Sequence, residues 1–273
     1  MHENYKEHMK ILDKYWSIAA VSARSNLAYL GEVASRILFL SIILFIFSRL
    51  WTVTYAEMHT SRLAGMTLPE MLWYLMLTEC IILSGPRVAS LVDEDVRTGS
   101  LAVQLIRPVS YPGYRLAVTM GERCVKFALN VLVGATVTCC LVGPVDLQWK
   151  GVLFCLLTLP LAFVIDFLGN FLVGLFAFWL EDTSGLYLIY SRLTAILGGM
   201  LMPIELFPAA MKSLINALPF AALVYGPAKI LIDPSGAMLL DILARQVFGL
   251  GLFGVAVFFL QRQALRRIHA QGG

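Results

Sequence analysis

The chain has 273 residues, of which 59% are apolar and 14% are charged, and its mean hydropathy is +0.76. A soluble domain carries about 25% charged and about 45–50% apolar residues, so this excess of apolar side chains indicates a protein that lies in lipid. The apolar blocks are long and continuous, which predicts transmembrane helices and not the alternating strands of a barrel. The net charge of +3 gives no indication of a nucleic-acid partner.

Residues 5–30 are predicted to form an amphipathic helix that lies in the membrane interface. Apolar and aromatic residues recur there at three- and four-residue steps, and lysines line another face at four-residue intervals. A soluble helix packed on a partner is the alternative. The apolar positions are Tyr5, Met9, Leu12, Trp16, Ala19, Ala23 and Leu27, and the lysines are Lys6, Lys10 and Lys14.

Six apolar stretches are each long enough to cross a bilayer as a helix. Between the last two, prolines interrupt the apolar segment 203–235 repeatedly, which predicts a broken, re-entrant stretch covered by protein. The expected fold is therefore all-α and integral to the membrane, with one transmembrane domain over residues 1–273. The predicted spans are 34–54, 68–88, 117–142, 151–179, 185–202 and 239–260.

The distribution of basic residues predicts the orientation of these spans. Fifteen of the 21 lysines and arginines fall on the side that holds both termini and the loop between the second and third spans. Loops on the cytoplasmic side carry the excess of lysine and arginine. We therefore expect a multi-pass protein of the cell inner (cytoplasmic) membrane with both termini in the cytoplasm.

The loop 90–114, between the second and third spans, is predicted to be a cytoplasmic docking element. A simple turn needs only a few residues, whereas this loop combines charged side chains with a short apolar-periodic piece, and an exposed apolar patch marks a contact surface. A solvated loop is the alternative. Its notable residues are the acids Asp93, Glu94 and Asp95, the hinge Gly99, the apolar Leu101 and Leu105, and Pro108 as a stop.

The chain shows no sequence pattern for catalysis. It has no GxxxxGK[ST] nucleotide-binding motif and no HExxH, and its four histidines share no metal-ligand spacing, so we expect no enzyme activity, cofactor or metal in this chain. A GxGxxG at residues 249–254 lies inside the last span without a preceding strand, which favours close helix packing over dinucleotide binding.

Two acids lie deep in apolar sequence and are candidates for a substrate path. Glu79 is in the second span, and Asp166 is in the fourth, with Asn170 one turn further on. An ionisable group at this depth is costly, which points to a cavity, a pathway or an interior partner. A structural role, in which Asp166 pairs with an inward arginine or accepts a bond between helices, is the alternative.

The order of these parts resembles the permease subunit of an ABC-2 type transporter of about 260–270 residues. The loop EDVRTGSLAVQLIRPVSY (Glu94–Tyr111) is similar to the family pattern of an acid, a basic residue, Gly, Leu and a final Leu-x-x-Pro. The segment GGMLMPIELFPAAMKSLINALPF (Gly198–Phe220) is similar to the family segment after the fifth span. The resemblance covers essentially the whole chain.

This resemblance implies a set of partners and roles. Two copies of a cytosolic ABC ATPase, which bind ATP and Mg, would dock on the loop 90–114 as a coupling helix, and a second permease, identical or a sister chain, would complete the unit among membrane lipids. An amphipathic or hydrophobic substrate, such as a drug, toxin, lipid or lipid-linked glycan, would be exported between the two permeases. The implied coupling residues are Glu94, Arg97, Gly99, Leu101, Leu105 and Pro108, and those of the outer gate segment are Pro203, Glu205 and Pro208.

Two other functions compete with this interpretation. A non-transporting membrane anchor or sensor would recruit a cytosolic partner through the same loop. An intramembrane enzyme that modifies lipid-soluble substrates would need clustered His, Asp or Glu side chains, and Glu79 and Asp166 alone are too few.

Overall fold

The computed structural model describes residues 2–26, 30–85 and 87–271. Within these ranges the chain forms twelve α-helices and two short 3-10 helices and no β-strand, which confirms the all-helical prediction. The helices are α1 (His2–Asn26), α2 (Leu30–Glu57), α3 (Leu68–Leu83), α4 (Val88–Arg97), α5 (Ser100–Leu105), α6 (Tyr111–Val142), α7 (Trp149–Leu175), α8 (Ser184–Leu197), α9 (Ala209–Ala217), α10 (Phe220–Leu223), α11 (Tyr225–Ile232) and α12 (Gly236–Gln271).

Five helical stretches among the described residues are long and apolar enough to cross a membrane. They overlap the predicted first, second, third, fourth and sixth spans, and the second of them comprises α3 and α4. Their bounds are Ser35–Glu57, Leu68–Arg97, Tyr111–Val142, Trp149–Phe178 and Gly236–Ala264.

The predicted fifth span, 185–202, corresponds to the shorter helix α8. This helix has 14 residues, which at 1.5 Å per residue reach about 21 Å and fall short of the roughly 30 Å of hydrocarbon. It ends because Gly199 adopts φ 73°, and the hydroxyl of Tyr74 on α3 donates to the Gly199 carbonyl over 2.5 Å. The count of six spans therefore stays a prediction.

Helix α1 packs across the first turns of α6. A Cβ at Gly121 would overlap the backbone of Ala19, so the two helices touch main chain to main chain. Trp16 on the same helix is exposed, and the location of α1 in the membrane interface stays a prediction. Residue Leu27, and the side chains of Tyr5, Lys6, Met9, Lys10 and Leu12, lie outside the part of the chain that the structure describes.

Helix α3 is the centre of the fold. All but one of residues 71–81 are buried, as expected for a helix that is apolar on every face. It packs against α2, α6 and α11, and the indole of Trp73 donates to the carbonyl of Gly143 at the end of α6 over 3.2 Å. A second apolar cluster supports α4 and α5, and it includes Val92, Leu101, Tyr111, Phe171 and Leu175.

The proline-broken segment 203–235 packs into the protein as short pieces. A 3-10 helix (Ile204–Leu206) is followed by α9, α10 and α11. The side chain of Gln246 on α12 donates to the carbonyls of Ala222 on α10 and Thr158 on α7, both over 3.0 Å. This gives broken backbone the protein cover it needs at membrane depth, and the re-entrant position of the segment stays a prediction.

Candidate functional site

The predicted docking segment, 90–114, folds into α4, a turn, α5 and the start of α6. Gly99 lies in the turn with φ 72°, a left-handed conformation that glycine adopts without strain. Helix α5 ends at Leu105, and Pro108 is exposed in the turn before α6. The segment is therefore a helical hairpin that bends at Gly99, and Pro108 lies three residues beyond its second helix.

An exposed apolar surface lies on α5 and the residue after it. Val103 is 62% exposed, Leu105 39% and Ile106 84%, and we call these three side chains the α5 patch. Leu101 instead is buried in the cluster beneath α4 and α5. Of the two leucines predicted to contact a partner, the structure exposes only Leu105, and Glu94 on α4 is also exposed.

Polar contacts tie the end of α4 to the start of α8. Arg97 forms ion pairs with Asp93 (3.1 Å) and Asp182 (3.7 Å), and the Thr183 hydroxyl donates to Asp93 over 3.0 Å. Hydrogen bonds from Ser184, and the nearby Arg97 guanidinium, hold the pKa of Asp182 below its usual value. Arg97 is therefore held next to the start of α8 by Asp182, while about half of its side chain stays exposed to solvent.

Asp95 holds the docking hairpin together from inside. Its Oδ1 accepts hydrogen bonds from Ser100 and Gln104 on α5, both over 2.9 Å. Its Oδ2 accepts one from the Tyr111 hydroxyl over 2.7 Å and forms an ion pair with Arg115 on α6. One buried carboxylate therefore connects α4, α5 and α6, and both its oxygens are fully used.

A second buried ion pair lies between α6 and α7. The Arg123 Nη1 donates to Asp166 Oδ2 over 2.6 Å, and the Arg123 guanidinium lies 4.1 Å from the centre of the Phe163 ring. Asp166 also accepts hydrogen bonds from Asn170 (3.1 Å) and from the Tyr190 hydroxyl on α8 (3.3 Å). Three helices thus meet at Asp166, which has the inward arginine partner that a structural role requires.

The candidate path residues do not come together in one place. Asp166 and Asn170 line a cavity of about 80 Å³ that Arg123 also borders, but Glu79 does not line it. Glu79 is 2% exposed, and its Oε1 has no hydrogen-bond partner among the described residues. The link between the two places is Arg123, whose Nη2 donates to the Ile81 carbonyl of α3 over 3.3 Å.

The two prolines among the predicted outer gate residues each precede one of the first two pieces of the broken segment. Pro203 precedes the 3-10 helix and Pro208 precedes α9. Glu205 Oε1 accepts a hydrogen bond from the Tyr225 hydroxyl over 2.6 Å and lies 3.6 Å from the Lys229 ammonium. Glu205 therefore fastens the 3-10 helix to α11.

Asp95, Arg115 and Arg123 were not selected as site residues from the sequence, although all three form buried ion pairs in the structure. Asp95 was only one of several acids in a loop, and Arg115 and Arg123 were not selected at all. Arg123 carried a usable signal, since an arginine inside the predicted span 117–142 needs a buried partner. Asp95 and Arg115 carried none, because their spacing does not show that they meet.

The described residues offer little for metal or redox chemistry. Within them, no group of three His, Cys, Asp or Glu side chains lies close enough to hold a metal ion. Cys80 and Cys155 are buried and form no disulfide, and the Cys80 thiol instead contacts the Met76 sulfur at 3.6 Å. The buried carboxylates Asp95 and Asp166 instead connect helices through ion pairs with Arg115 and Arg123.

The amino-acid sequence was compared with profiles of known protein families. The sequence profile described as ABC-2 family transporter protein matches residues 30–272. The chain belongs to the ABC-2 transporter family. A search of curated proteins finds no match.

Membership of the ABC-2 family confirms the resemblance inferred from the two sequence motifs. Proteins of this family are the membrane components of ABC transporters, which are not themselves catalytic and work with a partner ATPase subunit. Together with the apolar helices, the family makes this chain a membrane-embedded, multi-pass permease component.

Proposed function

We propose that this ABC-2 permease exports an amphipathic or hydrophobic substrate and is driven by two copies of a cytosolic ATPase that dock on the α5 patch. The exposure of the α5 patch is the main support for this proposal. Val103, Leu105 and Ile106 are exposed on a short helix that is flanked by charged side chains and lies outside the long apolar spans. An apolar patch with a polar rim is what a protein partner covers.

The buried contacts beneath the patch support transmission of force from the docked ATPase. Asp95 joins the patch-bearing helix to α6, and Arg97 joins α4 to the start of α8. A displacement of the docking hairpin therefore moves α6 and α8 with it. We propose that ATP and Mg, bound on the ATPase, close the ATPase pair and so shift the permease between inward-open and outward-open states.

A second permease, identical or a sister chain, completes the proposed unit. Helix α2 supports this, because the stretch Ser35–Glu57 is largely exposed within the single chain. Its exposed apolar side chains can be covered by a partner helix, by substrate or by lipid. They include Leu38, Phe39, Ile42, Ile46, Leu50 and Val53.

The candidate path residues fit this unit in two different ways. Glu79 retains an unpartnered buried oxygen, which favours contact with substrate or water during transport. Asp166 and Asn170 are held by Arg123 and Tyr190, so we propose that they move α6, α7 and α8 as one body beside the path. On the predicted outer side, Glu205 with its flanking prolines serves as the gate segment.

The distribution of lysine and arginine supports an orientation in the cytoplasmic membrane in which the α5 patch and both termini face the cytoplasm. This orientation puts the patch where a cytosolic ATPase can reach it. It also puts the broken segment 203–235 at the outer surface, where exported substrate leaves.

Docking is tested by affinity purification of the tagged full chain in mild detergent, with mass spectrometry of the proteins that co-elute. We expect a stoichiometric ATPase subunit with wild type, and a loss of at least about tenfold with Ile106→Asp, because a buried charge without a partner costs several kcal/mol. Leu147→Asp is the control, an apolar residue exposed in the loop between α6 and α7.

An ATPase that stays bound equally to the Ile106→Asp and Leu147→Asp variants would contradict the docking site. A chain that elutes alone, or with a partner that binds no nucleotide, would favour the anchor or sensor function instead.

A further inference from the structure

A large cavity lies between the broken segment and α12, away from the docking hairpin. Its volume is about 560 Å³, which is within the range of small-molecule sites, roughly 300–1,000 Å³. The 3-10 helix, α9, α10, α11 and α12 all contribute side chains to its wall. The cavity is therefore formed within a single chain and needs no second permease.

The wall of this cavity carries more positive than negative charge. Three basic residues, Lys212, Lys229 and Arg245, face two acids, Glu205 and Asp241. Arg245 is engaged by Asp241 at 2.8 Å, and the buried Lys229 is 3.6 Å from Glu205. Lys212 remains, and it forms no ion pair among the described residues.

The hydrogen-bonding capacity of the wall shows the same imbalance. Lys229 donates to the Ala64 carbonyl over 3.3 Å, and its ammonium has three protons to donate. Lys212 has three more. The Glu205 Oε2 is a buried acceptor without a hydrogen-bond partner among the described residues. Glu205 lies beside Lys229 and Asp241 pairs with Arg245, which leaves the Lys212 ammonium without a counter-charge among the described residues. The cavity therefore suits a negatively charged ligand that accepts hydrogen bonds, as a phosphate group does.

Apolar surface adjoins the charged wall. Ala221, Met238 and Ile242 line the cavity beside the charged side chains. The cavity therefore offers a small apolar surface next to its charged groups.

We infer that the cavity between α9, α11 and α12 binds a phosphate-type anion, with Lys212 and Lys229 as its main ligands. The anion is carried on an outer-leaflet lipid or is free phosphate. This inference does not rest on docking of an ATPase, because every residue that it uses lies in one chain on the predicted outer side.

Native mass spectrometry of the purified full chain in detergent, without ATPase, tests the inference. The chain is titrated with phosphatidylglycerol, with uncharged diacylglycerol, and with phosphatidylglycerol in the presence of millimolar inorganic phosphate. The test variant is Lys212→Gln, and the matched control is Lys150→Gln, an exposed lysine at the start of α7 on the same predicted side. The thermal midpoint of each variant is measured in parallel.

We expect phosphatidylglycerol to bind wild type and Lys150→Gln equally, and Lys212→Gln about tenfold more weakly, the effect of losing one charge-assisted hydrogen bond. Diacylglycerol should bind far more weakly to all three. Competition by inorganic phosphate identifies free phosphate as the natural source, and its absence identifies the lipid. Equal binding by Lys212→Gln and Lys150→Gln at unchanged thermal midpoints, or equal binding of diacylglycerol, would overturn the inference.

Discussion

The substitution Asp95→Asn should disable the docking hairpin while leaving its shape almost unchanged. The asparagine amide keeps one acceptor oxygen, but it removes the charge that pairs with Arg115 and replaces one acceptor by a donor. Both partners are largely buried, with side chains 8% and 12% exposed. Removing one partner of such a pair leaves an uncompensated charge, which costs about 3–5 kcal/mol.

The matched control is Asp93→Asn on the same helix. Asp93 pairs with Arg97, whose side chain is 47% exposed, and an ion pair of this kind contributes only about 0–1 kcal/mol. For a chain of this size we expect Asp95→Asn to lower the thermal midpoint by roughly 6–12 °C. Asp93→Asn should lower it by roughly 2 °C or less.

The assay is thermal unfolding of the detergent-purified chain, combined with retention of the ATPase in the same preparation. Asp95→Asn should lower both, whereas the double variant with Arg115→Gln should regain part of the stability, because no charge is then left unpaired. Equal midpoints for Asp95→Asn and Asp93→Asn, or strictly additive losses in the double variant, would refute the role of Asp95 as the central anchor.

Two further substitutions test other parts of the structure. Gly121→Ala should loosen α1 from α6 and speed amide hydrogen exchange in α1, because the new Cβ overlaps the backbone of Ala19. In the control variant Gly251→Ala the new Cβ meets open space, so the substitution should be neutral or stabilising by up to about 1 kcal/mol. Similar exchange rates in α1 of both variants would contradict the contact. Glu79→Gln should leave the thermal midpoint within about 2 °C of the wild-type value, because Glu79 Oε1 has no hydrogen-bond partner to lose. The same substitution should change substrate-stimulated ATP turnover more than basal turnover. An equal change in both turnover rates would assign Glu79 to a structural role.

Hydropathy predicted the long helices well, because each is a continuous apolar stretch and its ends are marked by glycine, proline or charge. The fifth span was extended to residue 202 for the same reason, since residues 197–202 are apolar. The helix instead ends at Leu197, where Gly199 turns and Tyr74 captures its carbonyl. Such a break depends on a contact with another helix, which hydropathy does not contain.

The glycine motif in the last span shows the same limit. Gly249 does pack closely, since a Cβ there would approach Pro219 at 2.8 Å. Gly251 and Gly254 have open space around them in the single chain. Spacing alone predicted three packing glycines, whereas the helix turns only one of them toward a neighbour within the chain.

The candidate site was predictable in outline and not in its contacts. Gly99 and the apolar residues after it predicted a docking element with a hinge, and the docking role stays a prediction. The sequence could not show that Leu101 faces inward while Val103 and Ile106 face outward. A six-residue helix has too few turns to define a face by periodicity. The cavity beside α12 was not predicted at all, because its basic residues come from three separate elements.

We propose that the α5 patch is the contact surface for a separate ATPase. A photo-crosslinking amino acid placed at Ile106 of the full chain in the native cell tests this contact, with the same amino acid at Leu147 as the control. We expect a crosslink from position 106 to a nucleotide-binding subunit and none to that subunit from position 147. A crosslink only to lipid, or to a protein that binds no nucleotide, would contradict it.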